Sequence, residues 1–262
     1  MSIVSKCMSI NKVLIFDVWG DYAHFRRFYT TTSPLTFPIP PRTALCGLIG
    51  AIIGLEKENN EYLEYFTLDK AFIGLKIDEK HPLKKVMISE NLIHTKNAKG
   101  PGMNLITERT QINFEFLKDQ KYRIYFNHTD EDIYQQLKEN LISHKSVYTP
   151  CLGLSENIAN FEFVGEFKVK SESGSESTEE YVQINSVLPT EKIAKKGGIK
   201  FNFEGEYFSI KVPIELNLDR IVTKYSDILF ERTGKPVEAK LISSYWRVDY
   251  MDRTNENFLF IE

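Results

Sequence analysis

A chain of 262 residues, 42% hydrophobic and 26% charged, has the composition of an ordinary soluble globular protein and is long enough to bury a sizeable core, as one large domain or a domain with an appendage. Its formal net charge of −3 excludes a nonspecific polycation, so any nucleic-acid contact must come from local clustering. The cysteines Cys7, Cys46 and Cys151 are odd in number and lack metal-type spacing, which suggests neither a disulfide framework nor a zinc site and fits a reducing cytoplasm; the first ten residues carry no secretory pattern.

Residues 13–18 form a short apolar run of the buried-strand kind, followed by a polar and aromatic loop over 20–41 that four prolines punctuate. Within it, Arg26 and Arg27 lie among Phe25, Phe28 and Tyr29, and four hydroxyl residues follow, Thr30, Thr31, Thr32 and Ser33. Guanidinium groups pair bidentately with phosphate, rings stack on splayed bases and hydroxyls bond sugar or phosphate oxygens, so the mixture suits single-stranded RNA. The plainer reading makes Phe25, Phe28 and Phe37 loop anchors in the core and leaves the arginines and Tyr29 as the better binding residues.

A helix is expected over 42–55. Pro41 suits its start, and Arg42 and Thr43 stand beside the free amides of the first turn, where an anion would sit. Gly47, Gly50 and Gly54 form one stripe of this helix, which predicts close backbone packing on a sheet. The apolar run of about a dozen residues is short of the roughly 20 that a membrane span needs.

Residues 57–66 read as a second helical piece and 71–77 as a strand. Two extended segments, 84–95 and 104–116, joined by the turn-rich 96–102, predict a long β-hairpin. Lys96 and Lys99 fall at its tip and Arg109 in its second segment, and residues 80–123 carry nine lysines and arginines against four acids. A strand over 121–127 and an amphipathic helix over 130–142, with Thr129 as its expected N-cap, complete the order strand, helix, strand, hairpin, strand, helix. That order approximates a ferredoxin-like or RNA-recognition fold with one hairpin enlarged.

The Pro- and Gly-punctuated loop 148–157 places Gly153 where freed amides could cradle a phosphate, a plain connector being the equal alternative. Beyond it come strands at 161–170, 181–187, 199–203 and 206–213, with an acidic, Ser-rich loop over 171–180. Tyr245, Trp246 and Tyr250 stand in a remainder of poor periodicity. The expectation is an α+β chain with an RNA-binding domain over 1–158 and a β-rich region over 159–262.

The segments Phe-Arg-Arg-Phe-Tyr-Thr-Thr-Thr-Ser at 25–33, Phe-Pro-Ile-Pro-Pro-Arg-Thr-Ala at 37–44 and Gly-Leu-Ile-Gly at 47–50 resemble the N-terminal signature of the CRISPR-associated Cas-five family of the RAMP superfamily, in the branch found in type I-B complexes. The 148–157 loop resembles the family's pattern as well. The resemblance implies a ferredoxin-like RAMP core with a protruding hairpin, the thumb, here at about 84–116 by position only. It also implies a noncatalytic subunit of a type I interference (Cascade) complex in antiviral defence, without a cofactor, that binds and caps the 5′ handle of the crRNA. The implied partners are the backbone and large subunits of that complex, with target DNA met indirectly and no membrane. Carried onto this chain, the RNA-binding residues are Arg26, Arg27, Tyr29, Thr30, Thr31, Arg42, Thr43 and Gly153, and the basic Lys96, Lys99 and Arg109 join them by the position of the hairpin alone, since its tip matches no family motif.

The alternative is a metal-independent endoribonuclease that processes CRISPR repeat RNA, which needs a base at the 2′-hydroxyl, an acid at the leaving oxygen and a cation for the phosphorane. His94 and Lys96 would share a strand face, and His24 lies close to Tyr22 and Arg26. A type I-C branch of the family cuts its repeat RNA with a tyrosine, a lysine and a histidine. The adjacent lysine and histidine expected in the thumb are missing here, and the adjacent pair His144 and Lys145 follows the second helix. A third reading is a scaffold subunit that touches only protein. No Walker-type loop, HExxH pair, nucleophile elbow or acidic metal cluster is present in the sequence.

Overall fold

The computed structural model describes residues 10–30, 32–93, 109–174, 180–250 and 254–262. Its centre is β1 (Lys12–Ala23), whose alternation sends Leu14, Phe16 and Val18 to one side and Val13 and Ile15 to the other, all fully buried. Strand β1 pairs antiparallel with β4 (Arg109–His128) and β5 (Asn160–Glu172), and β4 pairs with β2 (Ala71–Ile77), giving the antiparallel order β5-β1-β4-β2. Helices α1 (Arg42–Ile53) and α2 (Glu131–Ile142) follow β1 and β4, so the chain order and the sheet order together are those of a ferredoxin-like core. The fold is thus α+β, with few helices and mostly antiparallel sheet.

Strand β4 is twenty residues long, and only its second half belongs to the core. Its first half pairs with β3 (Lys85–Ile93), from Lys85 opposite Leu117 to Ile93 opposite Arg109. This is the expected hairpin; its tip, residues 94–108, lies outside the described residues. Helix α2 begins one residue later than expected: the carboxylate of Asp130, and not the Thr129 hydroxyl, accepts from the amides of Asp132 and Ile133. The second helical piece is a 3-10 stretch at Glu58–Tyr65.

The two faces of the sheet are covered by different parts of the chain. Leu14, Phe16, Ile73, Ile124 and Phe126 pack beneath α1 and α2 through Leu45, Ile49, Ile52, Ile133 and Leu137. Val13, Ile15 and Tyr125 pack with Val248, Phe258 and Phe260 from the chain's end. The expected division after residue 158 falls directly before β5, which pairs with β1 from Trp19 opposite Asn160 to Lys12 opposite Lys168. Residues 160–172 therefore belong to the same sheet as β1 and β4.

The rest is β-rich, as its short alternating segments suggested, but with more strands than that pattern disclosed. Strands β6 (Val182–Ile184), β8 (Ile199–Lys200) and β11 (Val237–Ala239) form one small sheet; β7 (Leu188–Pro189), β9 (Tyr207–Leu216) and β10 (Val222–Glu231) form another. Strands β12 (Tyr245–Asp249) and β13 (Asn255–Phe258) extend the main sheet beyond β5. The opposite edge, β2, receives amides from Val187 and Ile261. Among the described residues no helix is long and apolar enough to cross a membrane.

Candidate nucleic-acid interface

A groove of about 740 Å³ opens on the α1 side of the molecule. Its floor is α1 itself, through Thr43, Ala44, Gly47 and Gly50. One wall is the arginine loop with His24, Phe25, Arg26 and Phe37; another is the 148–154 loop with Tyr148, Thr149 and Gly153. The remaining walls come from Lys57 and Tyr62 and from Pro213, Leu216 and Arg220 of the β9–β10 hairpin. Three cations, Arg26, Lys57 and Arg220, line it, and none of the described lining residues is an aspartate or glutamate.

Gly47 and Gly50 of the glycine stripe face this opening, whereas Gly54 is packed against Val147. A Cβ built on Gly47 would meet nothing within 4 Å, and one on Gly50 would make ordinary contacts with the rings of Phe66 and Tyr62 at 3.7 and 3.8 Å and with Leu55 Cβ at 3.9 Å. Gly54 has a separate duty, closing the helix at φ +84 with its amide on Gly50 O. Gly153 is needed for two reasons: its φ is +95, and a Cβ there would stand 1.9 Å from the carbonyl oxygen of His24. The amide of His24 donates to Leu152 O at 3.0 Å, so two walls of the groove are clasped together at this point.

Arg26 is exposed and donates to Thr30 O at 3.3 Å. Arg27 is half-buried and holds the loop, with Nε donating to Thr36 O at 3.0 Å and Nη1 to the Tyr29 hydroxyl at 2.7 Å. The Thr30 hydroxyl donates to Arg27 O and accepts from the Leu35 amide, which engages it within the loop. Phe25 and Phe37 are core anchors as expected. Phe28 is not: it is 69% exposed and meets Tyr29 edge-on at 5.2 Å and Tyr225 at 6.0 Å, so an outward aromatic group joins the arginine loop to β10.

Arg42 requires a correction. Instead of facing an anion, it is 1% exposed and its guanidinium donates to four backbone carbonyls, those of Phe66, Thr67, Ala71 and Ile214. Thr43, its neighbour, does line the groove. Thr31, Lys96 and Lys99 lie outside the described residues, as does His94; Arg109 is placed by its backbone at the start of β4. The structure therefore brings Arg26, Thr43 and Gly153 together at one opening, with Arg27, Tyr29 and Thr30 in the adjoining loop. Sequence reading passed over Lys57, Tyr62 and Arg220, because nothing local marks 57–62 and 213–220 as neighbours of α1.

His24 is 1% exposed, and Glu115 O stands 2.7 Å from its Nδ1, which assigns the proton to that nitrogen. Its Nε2 is buried without a hydrogen-bond partner among the described residues. Burial pulls the imidazole below its ordinary range, against the opposing pull of the Glu115 carbonyl. The ring is a neutral group packed on Phe114 and Phe116, at 5.6 and 5.5 Å.

A family model described as "CRISPR-associated protein (Cas_Cas5)" matches residues 13–206, a span that holds the ferredoxin-like core and the arginine loop and ends before β9. A CRISPR protein from Archaeoglobus fulgidus matches this structure with a TM-score of 0.52 at 13% identity, covering 94% of this chain and 98% of its own; at that identity the likeness is one of fold. A chain of a CRISPR RNA-guided surveillance complex gives a TM-score of 0.49 at 13% identity over 87% of this chain and 92% of its own. No curated protein sequence matches the chain.

Proposed function

The chain belongs to the CRISPR-associated Cas5 family, and from that premise we propose that it is the noncatalytic subunit of a type I-B-like interference complex that holds the 5′ handle of the crRNA in the groove above α1. The observation that carries this reading is electrostatic. In a chain of net charge −3, Arg26, Lys57 and Arg220 line one cavity whose described lining includes no carboxylate. Such a cavity lowers the free energy of an anion that enters it, and its aromatic and glycine-lined surfaces leave room for splayed bases. Arg26 and Thr43 would contact the handle phosphates and sugars, Tyr29 offers an exposed ring at the rim, and the hairpin β3–β4 would face the backbone subunit.

The noncatalytic reading is supported by the state of His24. A general base must reach the 2′-hydroxyl through an unprotonated ring nitrogen, whereas Nε2 of this imidazole is buried and the ring is packed on Phe114 and Phe116.

The test is to incubate the protein with its host's CRISPR repeat RNA and with the mature 5′ handle, in EDTA, and to run binding and denaturing gels on the same samples. Handle bound and repeat intact is the expected result. A discrete cut at the handle boundary would replace this reading with the endoribonuclease. If about five phosphates are contacted, log K should fall with log salt at a slope near −3.5, and a slope near zero would remove the electrostatic argument.

A further inference from the structure

One wall of the groove is built by a hairpin that the sequence reading left without a role. Strands β9 and β10 are joined across 217–221, and Asn217 closes the turn. Its amide donates to Ile221 O at 3.0 Å, its side-chain oxygen accepts from the Ile221 amide at 2.8 Å, and its carbonyl accepts from the Arg220 amide at 2.9 Å. Arg220 is thereby held at φ +60, the left-handed region that a residue with a side chain enters at a cost. The tip of the turn is docked on the body of the molecule by Asn60 Nδ2, which donates to Leu218 O at 2.9 Å.

The backbone so fixed delivers an exposed guanidinium to the groove, where Nη1 stands 3.5 Å from the Tyr62 hydroxyl. That bond is long and its acceptor uncharged, since burial pushes the Tyr62 hydroxyl above its ordinary range despite Arg220 beside it. Among the described residues no carboxylate forms an ion pair with Arg220, Arg26 or Lys57. Three like charges around one opening repel one another, and an anion that enters relieves all three at once.

We infer that Arg220 is a direct phosphate ligand of the single-stranded RNA in the groove, so that the C-terminal hairpin forms part of the RNA site. The inference rests on the RNA-binding reading above. Its chemistry is that of a planar, permanently charged fork, which grips two oxygens of one phosphate where a lysine grips as a point charge.

The full chain and its variants are titrated with labelled 5′-handle RNA by fluorescence anisotropy at several salt concentrations. Arg220→Ala should weaken binding about tenfold, and should flatten the dependence of log K on log salt by about 0.7, one phosphate's worth. Arg220→Lys should keep the slope while losing part of the affinity. Arg220→Ala should also keep the parent's urea-unfolding midpoint, because its guanidinium has no ion pair among the described residues and its bond to Tyr62 is long.

If Arg220→Ala leaves the slope unchanged, or if its loss of affinity comes with an equal loss of unfolding stability, Arg220 merely holds the hairpin and the inference is overturned. Arg26→Ala separates the two levels. Weakened binding there with none in Arg220→Ala overturns only the role of Arg220; no effect of either overturns the reading of the groove.

Discussion

The guanidinium of Arg26 and that of Arg42 meet opposite surroundings, and their replacements should separate accordingly. Arg42→Ala would strip a donor from four carbonyls, three of them in the 66–71 turn and one in β9, and leave them in a dry interior. A loss of about 3 kcal/mol or more in urea unfolding is expected, and lysine should not restore it because one ammonium cannot span acceptors on two separate segments. Arg26→Ala should leave unfolding within about 0.5 kcal/mol of the parent while weakening RNA binding. An equal loss of stability from both would remove the distinction. The residue identities around Arg42 gave no warning of this role, since its acceptors lie at 66, 67, 71 and 214 and only the fold brings them to one place. His24 supplies a pH signature of the same interior. Its folded pKa is depressed below the unfolded value of 6.5, so the unfolded chain takes up a proton first as pH falls. Stability from this group is complete above about pH 6.5 and declines below it, with a slope of at most about 1.4 kcal/mol per unit, until the folded imidazole also protonates. Unfolding free energies measured between pH 5.5 and 7 should show this decline, and His24→Gln, which keeps a donor for Glu115 O, should flatten it.

Elements were legible where the signal is local. The apolar run of β1, the alternation in the second half of β4, the hairpin β3–β4 and the two helices follow from the pattern of apolar residues, and the Pro41-Arg42 start of α1 falls where it was expected. What the pattern could not report is what each face meets. The glycine stripe of α1 reads in sequence as a packing surface, and the same spacing serves equally well for a surface kept open. The two possibilities predict opposite outcomes. If Gly47 faces an open groove, Gly47→Ala should stabilise the protein by about 0.5 to 1 kcal/mol, because alanine favours the helix and its methyl meets nothing. Gly47→Trp should keep the helix and occupy the groove, so RNA affinity should fall while the unfolding midpoint holds. Were Gly47 packed on a neighbour, both variants would destabilise the fold. Gly153 is the contrasting case: alanine there combines a disfavoured φ with a backbone collision and should cost about 2 to 4 kcal/mol, with RNA binding lost in proportion.

At the scale of the whole molecule, the last strands are the least legible and among the most consequential. Strand β13 is four residues long and β12 five, both partly buried, so neither alternates clearly; their identity as strands depends on β5, more than seventy residues earlier. Yet they carry Glu256 onto the face of the sheet away from the helices. There its carboxylate is ion-paired with Lys76 of β2 and accepts from the hydroxyls of Tyr125 in β4 and Tyr250, at 2.7 and 2.6 Å. Burial alone would raise the Glu256 pKa, but the Lys76 ammonium and the two hydroxyls bring it below the ordinary carboxylate range. One residue near the chain's end thus bonds to two strands of the core. Glu256→Ala would leave a mostly buried ammonium and two hydroxyls without their acceptor, at a cost of about 3 to 5 kcal/mol. The form of the transition decides more than its midpoint. If residues 207–262 fold as one body with the core, urea unfolding followed by tyrosine fluorescence and by far-ultraviolet circular dichroism should remain a single coincident transition, shifted to lower urea with an unchanged m-value. If the C-terminal region were an independent unit, the variant would split the curve, one step moving and the other staying. A single shifted transition would mean that the groove, whose wall includes β9 and Arg220 of the turn that follows it, is stabilised as a whole by a contact made on the opposite face of the sheet.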